Sequence, residues 1–339
     1  MVPVRFLRVL CLLALAVAAG LPGRAQDVRF AQPYATAPLL NPALAGTTAL
    51  RAVSIATRNQ QPESGRGFLT GALCAEARLP RLRGVAGLLI SYDRAGDAPL
   101  NRTQAQLLYG YQARLTDRWT VSAAITAGVG FQNGNLDRYL FGDQLLPDGT
   151  TVPTAEARLY LPVTYPTIGT GLVFYEKQGW LGLAAHHANA PRLGTDNTAR
   201  LPRRLVLHGG YKFFLLSTLS MNRFYEFSVT PLVNLQWQGA ARGVDAGFSA
   251  TYSPIVFGVL YRNPLLLSGG ADQRWLVGQL GLRRPGFSVG YSYELGLGAR
   301  TAGFAAHELT LRLDVADYSG LRQKRNAPKQ APFLASPGF

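Results

Sequence analysis

Two adjacent histidines, His186 and His187, close the run "GWLGLAAHHANAPRLG" that spans Gly179 to Gly194. Neighbouring imidazoles suggest a metal site or a catalytic base. The spacing argues against both. The run alternates Leu with Gly or Ala, and successive side chains of a strand point to opposite faces. Leu181, Leu183, Ala185 and His187 then face lipid, and Gly182, Ala184 and His186 face inward. The two rings cannot share one ion. On the next strand His208 is the other inward histidine, and no Cys or His/Asp/Glu set at ligand spacing completes a site with His186. His186 is also the only rim candidate for a base with hydroxyl neighbours, and no Gly-x-Ser-x-Gly motif surrounds any serine. The chain is expected to have no catalytic residue, no cofactor and no metal. His187 is expected at the membrane interface, and His186 hydrogen-bonded inside the rim.

The element that carries these histidines recurs along the chain. In "FSVGYSYELGLG" Phe287, Val289, Tyr291, Tyr293, Leu295 and Leu297 alternate with Ser288, Gly290, Ser292, Glu294 and Gly296. "VSAAITAGVGF" and "HELTLRLDV" alternate in the same way, with Ile125 and Leu311 on the apolar face and Thr126 and Arg312 on the other. Period two over about ten residues, repeated, is the pattern of a transmembrane β-barrel, whereas sandwich strands run about five or six. Aromatics gather towards the ends of the apolar face, as interfacial girdles do. Candidate strands fall at 50–59, 67–78, 85–93, 101–115, 119–132, 164–176, 179–188, 203–215, 224–238, 242–252, 255–262, 272–283, 287–297 and 305–315. The fold class is therefore an all-β, antiparallel up-and-down barrel of about 14 strands. With both termini expected in the periplasm, long outer loops alternate with short inner turns. The exceptions are the short outer "GAA" and the longish inner "LLSTLSMN".

Bulk properties agree. Residues 1–25 read as a cleaved secretory signal: Arg5 and Arg8, then "VLCLLALAVAAGL", then "GRA". Cleavage is expected before Gln26. The apolar run is shorter than the ~20 residues of a spanning helix. Cys11 lies within the signal, which leaves Cys74 alone and no intramolecular disulfide. The formal net charge is +15, or +12 without Arg5, Arg8 and Arg24. The cations are scattered and no nucleic-acid motif appears, so no nucleic-acid partner is expected. Segment 26–49 precedes the barrel at 50–315, and the basic, proline-containing 316–339 is expected to be a disordered tail.

Several polar residues remain to be placed. "NPALAG" carries Asn41, Pro42 and the closing Gly46. It reads either as a periplasmic turn before the first strand or as part of a segment tucked into the lumen. A barrel of this size needs a filler, and 133–163 is the other candidate. "DRAGD", "FGDQ" and "LPRR" place Asp93, Asp97, Phe141, Asp143, Arg203 and Arg204 at the outer rim. Asp93 and Asp97 lack an EF-hand pattern. Salt bridges from these loops to Arg203 and Arg204 are the expectation, with a cation site or a partner-binding rim as alternatives. His208, Glu294, Glu308 and Arg312 face inward and read as a luminal polar network.

"QDVRFAQPYATAPLLNPALAGT" resembles the opening of the PorP/SprF-type outer-membrane proteins of the type IX secretion system. "RNQ" (Arg58, Asn59, Gln60), "DRAGD", "FGDQ", "PTAE", "GLAAHHANAP", "LPRRLVLHGGYKF", "VFGVLYR" and "HELTLRL" follow in the family's order. The resemblance implies an outer-membrane barrel that serves secretion or the surface attachment of a large adhesin. It implies type IX secretion components as partners, with a periplasmic peptidoglycan-binding lipoprotein and a large secreted adhesin among the candidates. Asn41, Pro42, Gly46, Arg58, Asn59, Asp93, Asp97, Phe141, Asp143, Arg203 and Arg204 are then the candidate partner-binding positions. A passive channel for small solutes is the alternative. The chain departs from the family at its end, where "LTLRLDV" lacks a terminal aromatic residue and the tail follows.

Overall fold

Alternating small or polar and apolar residues force each strand to have one face for the interior and one for lipid. In the computed structural model nearly every strand obeys this. The structure describes residues 27–61, 67–95, 100–134, 162–193, 199–220, 223–263, 274–298, 301, 303–315 and 333–335. Its strands are β1 (Arg51–Gln60), β2 (Phe68–Leu79), β3 (Gly84–Ala95), β4 (Leu100–Arg114), β5 (Thr120–Gly134), β6 (Val163–Tyr175), β7 (Gly179–His186), β8 (Arg204–Tyr211), β9 (Phe213–Ser220), β10 (Arg223–Gln238), β11 (Ala241–Tyr252), β12 (Ile255–Asn263), β13 (Trp275–Arg284), β14 (Phe287–Gly296) and β15 (Ala305–Asp314). β8 and β9 both pair with β10 and are separated only by Lys212, so they form one interrupted stave of a fourteen-stave ring. Neighbours pair antiparallel throughout. β1 and β15 close the ring from Ala52↔Asp314 to Gln60↔Ala306, and closure leaves no open edge in hydrocarbon.

Burial follows the predicted faces. In β14 Ser288, Gly290, Ser292 and Glu294 are buried, and Phe287, Val289, Tyr291, Tyr293 and Leu295 are exposed. Ile125, Leu181, Leu280 and Leu309 belong to the outward apolar band. Tyr111, Trp119 and Tyr252 mark one margin of that band and Tyr92, Phe131 and Tyr261 the other. No helix of the described residues is long and apolar enough to cross a membrane. The turns at 80–83, 115–119, 176–178, 253–254 and 285–286 mark the periplasmic rim. The opposite rim carries the long connections, apart from 96–99 and 239–240.

Two strand expectations are corrected. The inner connection over "LLSTLSMN" is not a loop as far as Ser220, because β9 and β10 pair through it to Ser220↔Arg223. A register shift at Leu215 sets Leu215 and Leu216 on the outward side together, so strict alternation gives no sign of a strand there. β7 ends at His186, and His187 takes a left-handed φ of 53°. That turn breaks the parity of the strand and brings the His187 side chain inward, away from lipid. The signal segment 1–25, Asp97, Phe141, Asp143, Pro153–Glu156 and most of 133–163 lie outside the described residues.

Candidate functional site

Residues 27–49 run through the ring from the outer rim to the periplasmic rim, touching opposite walls on the way. The expectation of a periplasmic N-terminus is therefore corrected for residue 27, which sits level with the outer ends of β4, β7 and β10. There the Asp27 carboxylate is 3.2 Å from Arg102 Nη1 and 2.8 Å from His187 Nε2. The Asp27 backbone N–H donates to Gln238 Oε1 at 2.7 Å. The other His187 ring nitrogen is 2.9 Å from Thr167 Oγ1. Burial by itself would raise the Asp27 carboxyl, but His187, Arg204 and Arg102 outweigh it and hold the group well below the usual carboxylate range.

One layer down, three arginines meet three carboxylates. Arg29 pairs with Asp245 at 2.7 Å. Arg262 bridges Asp245 at 2.9 Å and Glu294 at 2.5 Å. Arg58 grips Glu294 with two bonds of 2.7 Å and lies 3.7 Å from Glu308. Glu308 accepts the backbone N–H groups of Ala31 at 2.6 Å and Gln32 at 2.8 Å. Arg262 donates to Phe30 O at 2.9 Å, and Gln279 to Ala31 O at 2.6 Å. The cluster is neutral and its members are mutually bonded, the condition under which buried charge is tolerated. Two of the carboxylates hold the plug segment directly, Glu308 through its backbone and Asp245 through Arg29.

The middle layer is organised by "NPALAG". Asn41 is fully buried. Its Oδ1 accepts the Ala43 N–H at 2.9 Å and so caps the 3-10 turn Pro42–Leu44, where Pro42 needs no donor. Its Nδ2 donates to Leu183 O at 3.0 Å and Leu172 O at 3.2 Å, carbonyls of directly paired residues on β7 and β6. The same Nδ2 lies 3.0 Å from His208 Nε2. Two wall glycines make the room. A Cβ on Gly171 would lie 2.0 Å from Asn41 Oδ1, and one on Gly182 would lie 2.4 Å from His208 Nε2. Beside this, Tyr34 packs edge-on against Trp180 at 5.3 Å and accepts its indole N–H at 3.0 Å.

At the periplasmic end Gly46 turns with φ of 66°, donates to Glu76 Oε2 at 2.9 Å and receives a bond from Arg78. Arg312 reaches Glu76 at 2.9 Å and Thr48 Oγ1 at 3.0 Å. The tail expectation is corrected for 333–335. The backbone N–H groups of Leu334 and Ala335 donate to Thr47 O at 2.9 Å and Lys177 O at 2.8 Å. Leu334 is buried, and Arg78 lies 4.0 Å over the Phe333 ring. Its composition is polar overall, but this apolar pair finds a seat at the mouth.

The candidate residues thus separate. Asn41, Pro42 and Gly46 are luminal. Arg58 is not a rim contact but a buried ion pair, as its parity with Ser54 and Ala56 would have shown; Asn59 faces outward. The expected bridges from Asp93 to Arg203 and Arg204 do not form among the described residues. Asp93 instead accepts from Thr70 Oγ1 at 2.7 Å, and Arg203 donates to Ala188 O at 2.9 Å. Arg204 shares the lining of a cavity with Asp27 and Asp93. Glu294 and Glu308 share one cluster, Arg312 belongs to another near the periplasm, and His208 to neither. His186 approaches Leu40 O at 3.1 Å. Asp27, Arg29, Asp245, Arg262 and Glu76 were not singled out in the sequence, because their partners are 17 to 236 positions away. No group of three or more His, Cys, Asp or Glu suited to a metal occurs among the described residues. The outer cavity measures about 90 Å³.

A closed antiparallel ring with an apolar outer band and a charged, occupied interior defines an outer-membrane β-barrel. The family described as type IX secretion system membrane protein PorP/SprF matches residues 23–313, and the chain belongs to that family. No curated protein matches the chain. Among solved structures it is similar to the CymD monoaromatic hydrocarbon channel, with a TM-score of 0.50 and 13% identity over 86% of this chain and 93% of that one. The Pseudomonas putida toluene transporter TodX gives 0.43 and 10% over 88% and 95%. CdiB from Acinetobacter baumannii gives 0.41 and 11% over 78% and 59%. At such identities the first likeness speaks to the fold alone.

Proposed function

We propose that this barrel serves type IX secretion by binding partner proteins, without passing solutes and without catalysis. The observation that carries the reading is the lumen: residues 27–49 are bonded to the wall at every level through buried ion pairs and backbone bonds. A conduit needs a continuous aqueous path, and a segment held this way argues against one. The family supplies the secretion context, in which the partners are other secretion components. A periplasmic peptidoglycan-binding lipoprotein and a large secreted adhesin are the partners we favour. The outer rim around Asn59, Asp93 and Arg203 and the periplasmic rim are the surfaces left for them.

Chromosomal deletion tests the reading. Loss of one or more secreted or surface-anchored proteins, with small-solute uptake nearly unchanged, is expected. An intact secretome together with slower solute uptake would support the passive channel instead.

A further inference from the structure

We propose that the periplasmic mouth is a binding seat for an extended aromatic–aliphatic segment, and that its occupant, Phe333–Ala335 of the same chain, latches the luminal segment in place. The Leu334 N–H donates to Thr47 O at 2.9 Å and the Ala335 N–H to Lys177 O at 2.8 Å. The Leu334 side chain is 2% exposed and belongs to the same buried cluster as Leu40, Ala43 and Leu44 of the luminal segment and Tyr175 of β6. The Arg78 guanidinium lies 4.0 Å over the Phe333 ring and also donates to Gly46 O. Arg78 stands on β2, Lys177 in the turn between β6 and β7, and Thr47 at the exit of the luminal segment. Three consecutive residues thus tie two separate parts of the wall to that exit.

The contacts, and not the connection to β15, choose this seat. Val315 is fixed at the periplasmic rim, where its N–H donates to Arg51 O at 2.9 Å. Phe333 follows it by 18 residues, a reach of up to about 60 Å. Both hydrogen bonds use main-chain groups and so select an extended occupant. The buried pocket takes an aliphatic side chain, and the guanidinium takes an aromatic one.

The latch lies on the route that empties the lumen. Residues 27–49 join the wall at their periplasmic end, where Leu50 runs into β1. Drawn outwards, the segment would stay threaded through the ring by that join. Withdrawal into the periplasm clears the ring, and it must first part Gly46 and Thr47 from Arg78 and Leu334. Among the described residues, Glu76, Arg78 and Arg312 hold positions 46–48 from within strands. Leu334 holds them from outside the ring, so it can let go without unfolding the wall. This goes beyond the secretion reading and is the same whichever partners the barrel serves.

The test records full-length protein and Leu334→Asp in planar bilayers of known barrel orientation. The free peptide KQAPFLASPGF, residues 329–339, is added to one chamber at a time. Amide exchange is followed on the parent. Leu334→Asp should keep a heat-modifiable band and open roughly ten- to a hundredfold more often than the parent, the worth of one buried leucine side chain. Peptide at about 1 mM, the effective concentration that a flexible tether supplies, should restore the parent's rate from the periplasmic chamber and do nothing from the outer one. Deletion of Ser336–Phe339, which spares the seat contacts, should leave the parent's rate. The Leu334 and Ala335 amides of the parent should exchange about tenfold or more slowly than those of the free peptide. Unchanged opening in folded Leu334→Asp, peptide acting equally from both chambers, or exchange at the free-peptide rate overturns the proposal. If Leu334→Asp gives no folded band, exchange on the parent decides. If the parent itself forms a large steady pore, the closed-lumen reading fails, while exchange still reports on the latch.

Discussion

Asn41→Ala should unseat the luminal segment more than any other single truncation of its size. The side chain is fully buried, and its amide meets Leu172 O, Leu183 O and His208 Nε2 while its carbonyl caps Ala43. Alanine removes all four contacts and admits no replacement donor. Leaving a buried polar group unsatisfied costs about 1–3 kcal/mol. Two to three groups so affected give roughly 3–5 kcal/mol against the seated state. At 1.4 kcal/mol per decade that is on the order of a thousandfold in the seated-to-unseated ratio. Gly182→Ala should act in the same direction from the wall, since its Cβ would lie 2.4 Å from His208 Nε2 and 2.9 Å from Asn41 Nδ2. Planar-bilayer recording should show opening events in both variants that are rare in the parent, and both should melt earlier. If Asn41→Ala overlays the parent in conductance and in melting, the stitch through Asn41 does not hold the segment.

Three further outcomes follow from the layers above and below. A short epitope placed just before Asp27 should be reached by antibody on intact cells, whereas one after Phe339 should need permeabilisation; the reverse pattern would invert the threading. Because Asp27 titrates lower folded than unfolded, its stabilisation is complete above the unfolded value near pH 4 and is lost as pH falls further; the melting difference between parent and Asp27→Asn should shrink in that range, and a constant difference from pH 7 to 3 would count against the pairing. Ile125→Arg on the lipid face should block assembly, at about 2–4 kcal/mol near mid-bilayer, while Thr126→Ala beside it on the luminal face should still give a heat-modifiable band.

The ring was legible because period two survives in nearly every strand, and closure adds nothing that alternation does not imply. Parity even carried more than was drawn from it: Arg58 shares a face with Ser54 and Ala56, and Arg204 with Val206 and His208, so both were readable as luminal. What failed were places where the backbone leaves the pattern. His187 turns through a positive φ, and a register shift in β9 sets Leu215 and Leu216 on the outward side together. The site itself was only half legible. Asn-Pro and Gly46 announced a capped turn, but not that Asn41 reaches carbonyls 131 and 142 positions away. A carboxylate such as Glu308 shows in sequence that it is inward, yet its partners at Ala31 and Gln32 are backbone N–H groups, which no side chain announces.

The closed lumen is the claim on which the rest depends, and steady conductance of the purified full-length protein in a planar bilayer tests it most directly. The account predicts little steady current at neutral pH, with conductance rising when Asn41 is replaced. A large, stable open pore in the unaltered protein would contradict it.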